Sequence, residues 1–356
     1  MDPNLAHLVG IISDIKNAHA TRFAFPSKVG GRPAWLRPDS IPSIECESCA
    51  RSMTFLLQIY APVAEFEGAF HRSLLVFTCL HCRCFIRAFR TQLPLINEFY
   101  GTESLGDDRI PEIDPLLSKV CCEECGMAKH NDGSMCRALP EYGLDIEELD
   151  EIDMDDEDDE DDDDEDMSSD DEMAEEEKKK MADFIKSSPG MDLDESETDV
   201  FGDFADTSIE KDKTFRLFKK FVQETPSDQV IYYSLGGHPL WITEQNQLPG
   251  SPPNCEHCKG PRQFEFQIQP QLIYHIMKRL RGFPMSAAPF EWGVVAIYTC
   301  VSNCGTNNGY MEEFTFNQLE PAEWLDFNVR KKIDFSKPKS SSSPVIAEDE
   351  DDGEWQ

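Results

Sequence analysis

Met53, Phe55, Leu57 and Ile59 occupy every second position of one short stretch, the period of a half-buried β-strand. Five further runs are short, rich in β-branched or aromatic residues, and bounded by turn residues: Leu74 to Phe77, Phe85 to Phe89, Phe264 to Ile268, Val294 to Tyr298 and Phe314 to Phe316. Helical periodicity is scarcer. Phe215, Phe218, Phe221 and Val222 recur at helical spacing within Thr214 to Val222, with Lys219 and Lys220 elsewhere on the cylinder; Gln271 to Leu280 is a second candidate. The pattern predicts a mainly-β or α+β protein.

The same pattern occurs twice. Gly30-Gly31-Arg32-Pro33-Ala34-Trp35-Leu36 returns as Gly236-Gly237-His238-Pro239-Leu240-Trp241-Ile242, a lag of 206 residues. Cys46-Glu47-Ser48-Cys49 returns as Cys255-Glu256-His257-Cys258 at a lag of 209, and Phe55, Leu57, Gln58 and Ile59 answer Phe264, Phe266, Gln267 and Ile268 at the same lag. Phe77-Thr78-Cys79 then answers Tyr298-Thr299-Cys300. Matches in this order read as an internal duplication, whose halves are expected to pack as a pseudo-symmetric pair. The Gly-Gly-x-Pro-x-Trp string has a plain reading, a tight turn that delivers an indole to the core. Its functional alternative has Trp35 and Trp241 lining a groove for a bound peptide. Neither copy has the spacing of a phosphate loop.

Charge divides the chain more sharply than hydrophobicity does. Of 356 residues, 33 are Lys or Arg and 69 are Asp or Glu, for a net charge of -36. Residues 1–140 and 205–339 are nearly neutral, whereas 141–204 carry 32 acidic and 4 basic side chains, and 340–356 carry 6 acidic and none basic. The expected organisation is two repeat halves, 1–140 and 205–339, joined by a disordered acidic insert, 141–204, and followed by a disordered acidic tail, 340–356. From Asp145 to Glu177, 24 of 33 residues are acidic, too polar to repay the entropy of ordering. The insert reads either as a solvated linker or as a flexible polyanion that mimics RNA towards a basic partner. Ser168 and Ser169 precede Asp170, Asp171 and Glu172, a context suited to acidophilic kinases. Neutral halves and an acidic insert disfavour direct nucleic-acid binding.

Thirteen cysteines demand an explanation. The first residues lack a basic leader segment and no stretch is apolar enough to span a membrane, so the expected setting is reducing: cytoplasm, with the nucleus as a second location. Arg330, Lys331 and Lys332 form a patch too short to read as a nuclear signal. Paired cysteines in that setting point to metal. Cys46-x-x-Cys49 with Cys79-x-x-Cys82 makes one four-thiolate set, in which Cys84 is an alternative to Cys82; Cys255-x-x-Cys258 with Cys300-x-x-x-Cys304 makes another. Each suits a structural Zn²⁺, two ions in all, with no open coordination position for catalysis. His81 and His257 are spare ligands, and buried unligated cysteine is the alternative. Cys121, Cys122, Cys125 and Cys136 form a third cluster without a counterpart in the other half; it reads as a small zinc loop, as surface thiols or as a partial remnant, and Asn131, Asp132 and Gly133 mark a flexible turn within it.

The residues resemble a known family. Gly30 to Leu36, the Cys46 and Cys49 knuckle, Phe55-Leu56-Leu57-Gln58-Ile59-Tyr60-Ala61-Pro62, Phe70-His71-Arg72, Phe89-Arg90-Thr91-Gln92-Leu93-Pro94 and Asn97-Glu98-Phe99-Tyr100 are similar to the amino-terminal half of the programmed cell death protein 2 family. Asp228-Gln229-Val230, Ser234 to Trp241 and Cys258 to Gln267 resemble its carboxy-terminal signature. The resemblance implies a dedicated chaperone that captures one basic small-subunit ribosomal protein, of the uS-five type, and supports assembly of the 40S subunit. Animal members often carry a MYND-type zinc finger between the halves; here that region is only Cys121 to Cys136, so the finger is read as absent.

A monomeric binding protein is therefore expected, whose client-facing candidates are Trp35, Tyr60, His71, Trp241 and Tyr298. A scaffold in transcription or cell-death regulation is the alternative. An enzyme built from His71 beside Arg72, or Cys84 near His81, is the least supported class, because histidines beside cysteines in a metal-bearing β domain more often serve packing or ligation.

Overall fold

Neither half alone closes the barrel: of the ten strands among the described residues, six lie before residue 150 and four after residue 211. The computed structural model describes residues 6–15, 17–83, 85–103, 105–106, 109–111, 114–129, 138–149, 212–280, 290–306 and 308–319. In chain order the strands are β1 (Leu8–Ser13), β2 (Lys28–Val29), β3 (Thr54–Tyr60), β4 (His71–Thr78), β5 (Ile86–Leu93), β6 (Tyr142–Glu148), β7 (Gln229–Tyr233), β8 (Arg262–Ile268), β9 (Val294–Cys300) and β10 (Tyr310–Gln318). They form a closed barrel in the order β1-β6-β2-β3-β4-β5-β10-β9-β8-β7, every neighbour antiparallel. Closure disposes of sheet edges that separate sheets of six and four strands would leave open. One seam pairs β5 with β10; the other is filled by β1, which pairs with both β6 and β7.

Among the described residues three α-helices accompany the barrel: α1 (Leu117–Val120), α2 (Lys213–Glu224) and α3 (Gln271–Arg279). The expected helices at Thr214 to Val222 and Gln271 to Leu280 are thus present. The Asp212 carboxylate caps α2 by accepting the Phe215 N–H at 3.2 Å and also takes the Thr243 hydroxyl at 2.5 Å, fixing the entry of the second half. Phe218 and Phe221 are the buried face of that helix. No helix among the described residues is long and apolar enough to cross a membrane.

Burial comes in three layers. The central cluster takes Leu57, Ile59, Leu74 and Val76 from the first half and Phe266, Ile268, Val295 and Ile297 from the second, with Leu272 and Ile276 of α3. A second cluster holds Trp35, Phe55, Phe77 and Phe89; a third holds Phe264, Tyr298 and Tyr232, with Trp241 and Phe316 against it.

Local structure repeats along with the sequence. The β3–β4 ladder shifts register between Phe55 and Leu57, and the β8–β9 ladder between Phe264 and Phe266. The residues inside the two bulges are Leu56 and Glu265. The Leu56 carbonyl accepts the Gly30 N–H at 2.8 Å and the Glu265 carbonyl accepts the Ser234 N–H at 2.9 Å. The Gln58 amide oxygen accepts the Ala34 N–H at 2.8 Å; Gln267 accepts the Leu240 N–H at 2.7 Å. Gly30 lies at φ +61°, where a Cβ would overlap the Pro140 carbonyl, so glycine is required there.

Both glutamines are buried and use their second end as well: the Gln58 amide nitrogen donates to the Pro26 carbonyl at 3.0 Å. Gln58→Met keeps the volume but strands the Ala34 N–H and the Pro26 carbonyl, so a loss of roughly 2–5 kcal/mol in denaturant unfolding is expected. A loss below about 0.5 kcal/mol would mean the clamp is redundant.

The structure corrects one boundary. Tyr142–Glu148 was expected inside the insert at 141–204, yet it is β6, pairing with β1 along its whole length and with β2 at Lys28 and Val29. Tyr142, Leu144 and Ile146 face inward and Asp145 and Glu147 outward, an alternation that the acidic composition masked. Residues 150–211, most of the expected insert, and the expected tail at 340–356 lie outside the described residues.

Candidate metal centres and the seam that joins them

The four cysteines of each half converge. Sγ atoms of Cys46, Cys49, Cys79 and Cys82 lie within 4.8 Å of one another, and so do those of Cys255, Cys258, Cys300 and Cys304. Across the first cluster Cys46 is 3.8 Å from Cys82 and Cys49 is 3.6 Å from Cys79; across the second, Cys255–Cys304 and Cys258–Cys300 are both 3.5 Å. A tetrahedron of thiolates on Zn²⁺ has S···S edges of about 3.8 Å, given Zn–S bonds of about 2.3 Å. A disulfide would bring the pair to about 2.05 Å. The donor sets therefore fit a four-coordinate, thiolate-bound metal. Cys82, the earlier of the two alternatives, completes the first set, and Cys84 lies outside the described residues.

Tight turns present these thiols. In the first knuckle the Cys46 carbonyl accepts the Ala50 N–H at 2.8 Å and the Cys46 N–H donates to the Arg51 carbonyl at 2.8 Å, with Ala50 at φ +56°. Cys255, Lys259 and Gly260 repeat both bonds at 2.9 and 2.8 Å, with Lys259 at φ +61°. The N–H of Arg51 draws the Cys49 thiol down to about 7. Burial opposes ionisation of Cys255, but the amides of Cys258 and His257 outweigh it, and that thiol also falls to about 7. Burial and the neighbouring thiols push Cys82 up to about 12. One thiolate thus discourages the next, and a central cation is what would ionise the whole set.

Cys122 forms the same knuckle. Its carbonyl accepts the Gly126 N–H at 2.9 Å, its N–H donates to the Met127 carbonyl at 2.8 Å, and Gly126 lies at φ +69°. The Trp35 indole N–H donates to the Gly126 carbonyl at 2.7 Å, so the Gly-Gly-x-Pro-x-Trp loop holds this turn. Cys121 and Cys125 are buried and therefore not surface thiols; Cys136 and the Asn131 to Gly133 turn lie outside the described residues.

Behind the cysteines lies a polar seam that sequence reading missed. Arg72 of β4 meets Glu265 of β8 through two hydrogen bonds, at 2.5 and 2.7 Å, with both side chains at most 1% exposed. Hydroxyls of Thr299 and Tyr233 donate to the same carboxylate at 2.5 and 3.0 Å. On β10, adjacent carboxylates diverge. Glu313 binds Arg90 at 2.7 Å and Arg262 at 3.1 Å. Glu312 binds Arg87 at 2.5 and 2.6 Å. Each arginine then reaches a metal loop: Arg87 donates to the Glu45 carbonyl at 2.8 Å, Arg262 to the Asn254 carbonyl at 2.9 Å, and Arg90 to the Cys304 carbonyl at 3.0 Å. Gln92 adds a bond to the Asn303 carbonyl at 2.6 Å. Thus β5 of the first half grips the second half's metal loop directly.

The five expected client-facing residues do not share an open face. Trp35 is fully buried between Phe77 and Tyr310, and Tyr298 is buried between Phe264 and Phe314. His71 is buried in a stack with Phe25, ring centroids 4.4 Å apart, and its Nδ1 meets the Tyr60 hydroxyl at 3.0 Å. Burial lowers the His71 pKa, favouring a neutral packed ring. Trp241, half-buried, sits edge-on to Phe316. Packing claims Trp35, His71 and Tyr298, and the core-indole reading of the repeated motif is the one that holds for Trp35.

Comparison with known proteins agrees with this architecture. Residues 7–107 match the family described as Programmed cell death protein 2, N-terminal domain, and residues 212–319 match Programmed cell death protein 2, C-terminal putative domain. Bovine Programmed cell death protein 2 is 32% identical over 324 residues, covering 83% of this chain and 91% of that protein. Chicken Programmed cell death protein 2-like is 25% identical over 368 residues, covering 84% and 94%. A fission-yeast protein, Probable 20S rRNA accumulation protein 4, is 31% identical over 104 residues, 26% of this chain and 24% of its own length. No solved structure matches. By its two family domains and its identity with the bovine protein along most of both chains, the chain belongs to the programmed cell death protein 2 family.

Proposed function

We propose that this protein is a dedicated chaperone for one newly made basic ribosomal protein of the small subunit, of the uS-five type, and thereby serves 40S ribosome biogenesis. The observation that carries the reading is the likeness to a fission-yeast protein named for 20S rRNA accumulation. Charge supports it, since the acidic stretch offers a polyanion to a client that otherwise binds RNA through its phosphates. The protein acts as a monomeric binding protein and not as an enzyme, in the cytoplasm with the nucleus as a second location, and touches neither nucleic acid nor membrane directly. Its halves descend from one duplicated unit, a reading supported by the matching bulges, glutamine clamps and knuckles. Each half is stabilised by a structural Zn²⁺, at Cys46, Cys49, Cys79 and Cys82 and at Cys255, Cys258, Cys300 and Cys304.

Purification of the tagged chain from cells at moderate salt, followed by mass spectrometry, tests the reading. One small-subunit ribosomal protein is expected near one-to-one, with other ribosomal proteins sparse. A broad set of transcription or signalling partners would replace the chaperone with a scaffold. Deleting 150–177, which spares β6, is expected to weaken capture most at low salt and still measurably at physiological salt, where the screening length falls to about 8 Å. Unchanged capture and client solubility would reduce the insert to a linker.

A further inference from the structure

One side of β6 is paired by β1, and the other is paired by β2 only at its start, at Tyr142 and Gly143. Leu149 donates its N–H to the His7 carbonyl, which continues the β1 register in which Glu147 faces Val9 and Asp145 faces Ile11. These odd-numbered residues are the hydrogen-bonded pairs with β1. Leu144 instead donates to the Ser27 carbonyl at 3.2 Å, on the opposite side, and β2 ends there after two residues. The N–H and C=O groups of Ile146 and Glu148 therefore point away from β1, beyond the end of β2. No strand among the described residues pairs with them.

A groove of about 800 Å³ runs beside this edge. Phe23, Phe25 and Tyr60 line it together with the carboxylates of Asp14, Asp145 and Glu147, and its lining contains no Lys or Arg. Asp14 is shared with Arg279 at 3.0 Å, whereas Asp145 and Glu147 are exposed and carry no ion pair among the described residues. Aromatic surface beside an unpaired stretch of strand edge suits an extended peptide, and the carboxylates of Asp145 and Glu147, without a cation among the described residues, select its charge.

We infer that the open edge of β6 receives an extended basic segment of polypeptide as an added strand, its backbone on Ile146 and Glu148 and its Lys or Arg side chains over Asp14, Asp145 and Glu147. The inference deepens the chaperone reading by naming where the client's basic chain lies. Side chains on one face of the added strand recur every second residue, so the site selects alternating basic residues rather than a single one. Phosphate-bearing partners are excluded by the same carboxylates.

The full-length chain is titrated with a fluorescein-labelled synthetic decapeptide of alternating arginine and valine, while hydrogen exchange is followed at the amides of Ile146 and Glu148. Both amides are expected to exchange freely without peptide and to slow at least about tenfold with it. Glu148→Pro removes an outward N–H at an exposed edge position that proline tolerates, and is expected to weaken the peptide about tenfold, far more than Glu148→Gln does, with little change in melting temperature. Asp145→Lys combined with Glu147→Lys is expected to weaken it by about tenfold or more at low salt. Protection of both amides before peptide is added would place a segment of this chain on the edge and overturn the inference. Binding without new protection would do the same, by locating the peptide on the acidic insert. The two readings also separate. Glu148→Pro that still captures the ribosomal protein as well as the parent chain refutes this groove and leaves the chaperone standing, whereas a parent chain that protects both amides with peptide yet captures no ribosomal protein refutes only the chaperone.

Discussion

Glu265→Ala is expected to destabilise the folded chain by about 3–5 kcal/mol, because it leaves the Arg72 guanidinium buried without its countercharge. Denaturant unfolding of the full-length chain measures this. The control is the double replacement Arg72→Met with Glu265→Leu, which removes both charges and restores apolar volume; it is expected to recover most of the loss. If the single and double variants were equally unstable, packing rather than charge would hold the seam. The pH dependence has a defined sign. Burial pushes the Glu265 carboxyl up, but the attraction and hydrogen bonds of Arg72, aided by Thr299 and Tyr233, outweigh it, and its pKa falls below the ordinary 4.5. A carboxyl depressed by folding gives stability that is complete above its unfolded pKa and is lost as pH falls through the folded one. The parent chain is therefore expected to lose stability more steeply below about pH 4.3 than the double variant.

The second large effect is expected from the metal loops. Cys300→Ser should lower bound zinc from two equivalents to one and cost several kcal/mol or more, since thiolate-bound structural zinc contributes on the order of 10 kcal/mol where it folds its own loop. The damage should spread. Arg90 and Gln92 of the first half rest on carbonyls of Cys304 and Asn303, so the β5–β10 seam loses its grip when that loop loosens. Cys46→Ser should disturb the seam less, because its link, Arg87 to Glu45 and Glu312, lies at the exposed rim. Zinc content by mass spectrometry and hydrogen exchange along β10 distinguish the cases. A Cys300→Ser protein with two equivalents of zinc and parental β10 protection would remove the metal from this account of stability.

Much of the fold is visible in the sequence where pattern and packing coincide. Met53 to Ile59 reads as a strand, although β3 is buried on both faces and Leu56 and Gln58 are as enclosed as Phe55 and Leu57, and Phe215, Phe218 and Phe221 recur because α2 buries one stripe. The four-cysteine sets are readable because ligand geometry demands short spacings. Other elements are hidden for physical reasons. At two residues β2 is too short for any period, and β6 carries its alternation beneath an acidic composition. Glu265 occupies a bulge, where a strand's in-out rule fails, so its burial opposite Arg72 has no one-dimensional signature. Trp35 and Tyr298 are conspicuous in the sequence because the core needs them.

The placement of Arg72 and Glu265 also sets a timetable. The two are 193 residues apart, so at about 5–20 residues per second a nascent chain waits roughly 10–40 s between making the arginine and making its partner. Arg90 waits longer still for Glu313, and β5, paired with β4 on one side, has no neighbour on the other until β10 leaves the ribosome. During that interval the emerging half holds an unsatisfied cation and a raw strand edge. Any product cut short before residue 313 keeps them permanently, which makes incomplete chains of this protein visible to the cell's degradation machinery and leaves only the finished one quiet.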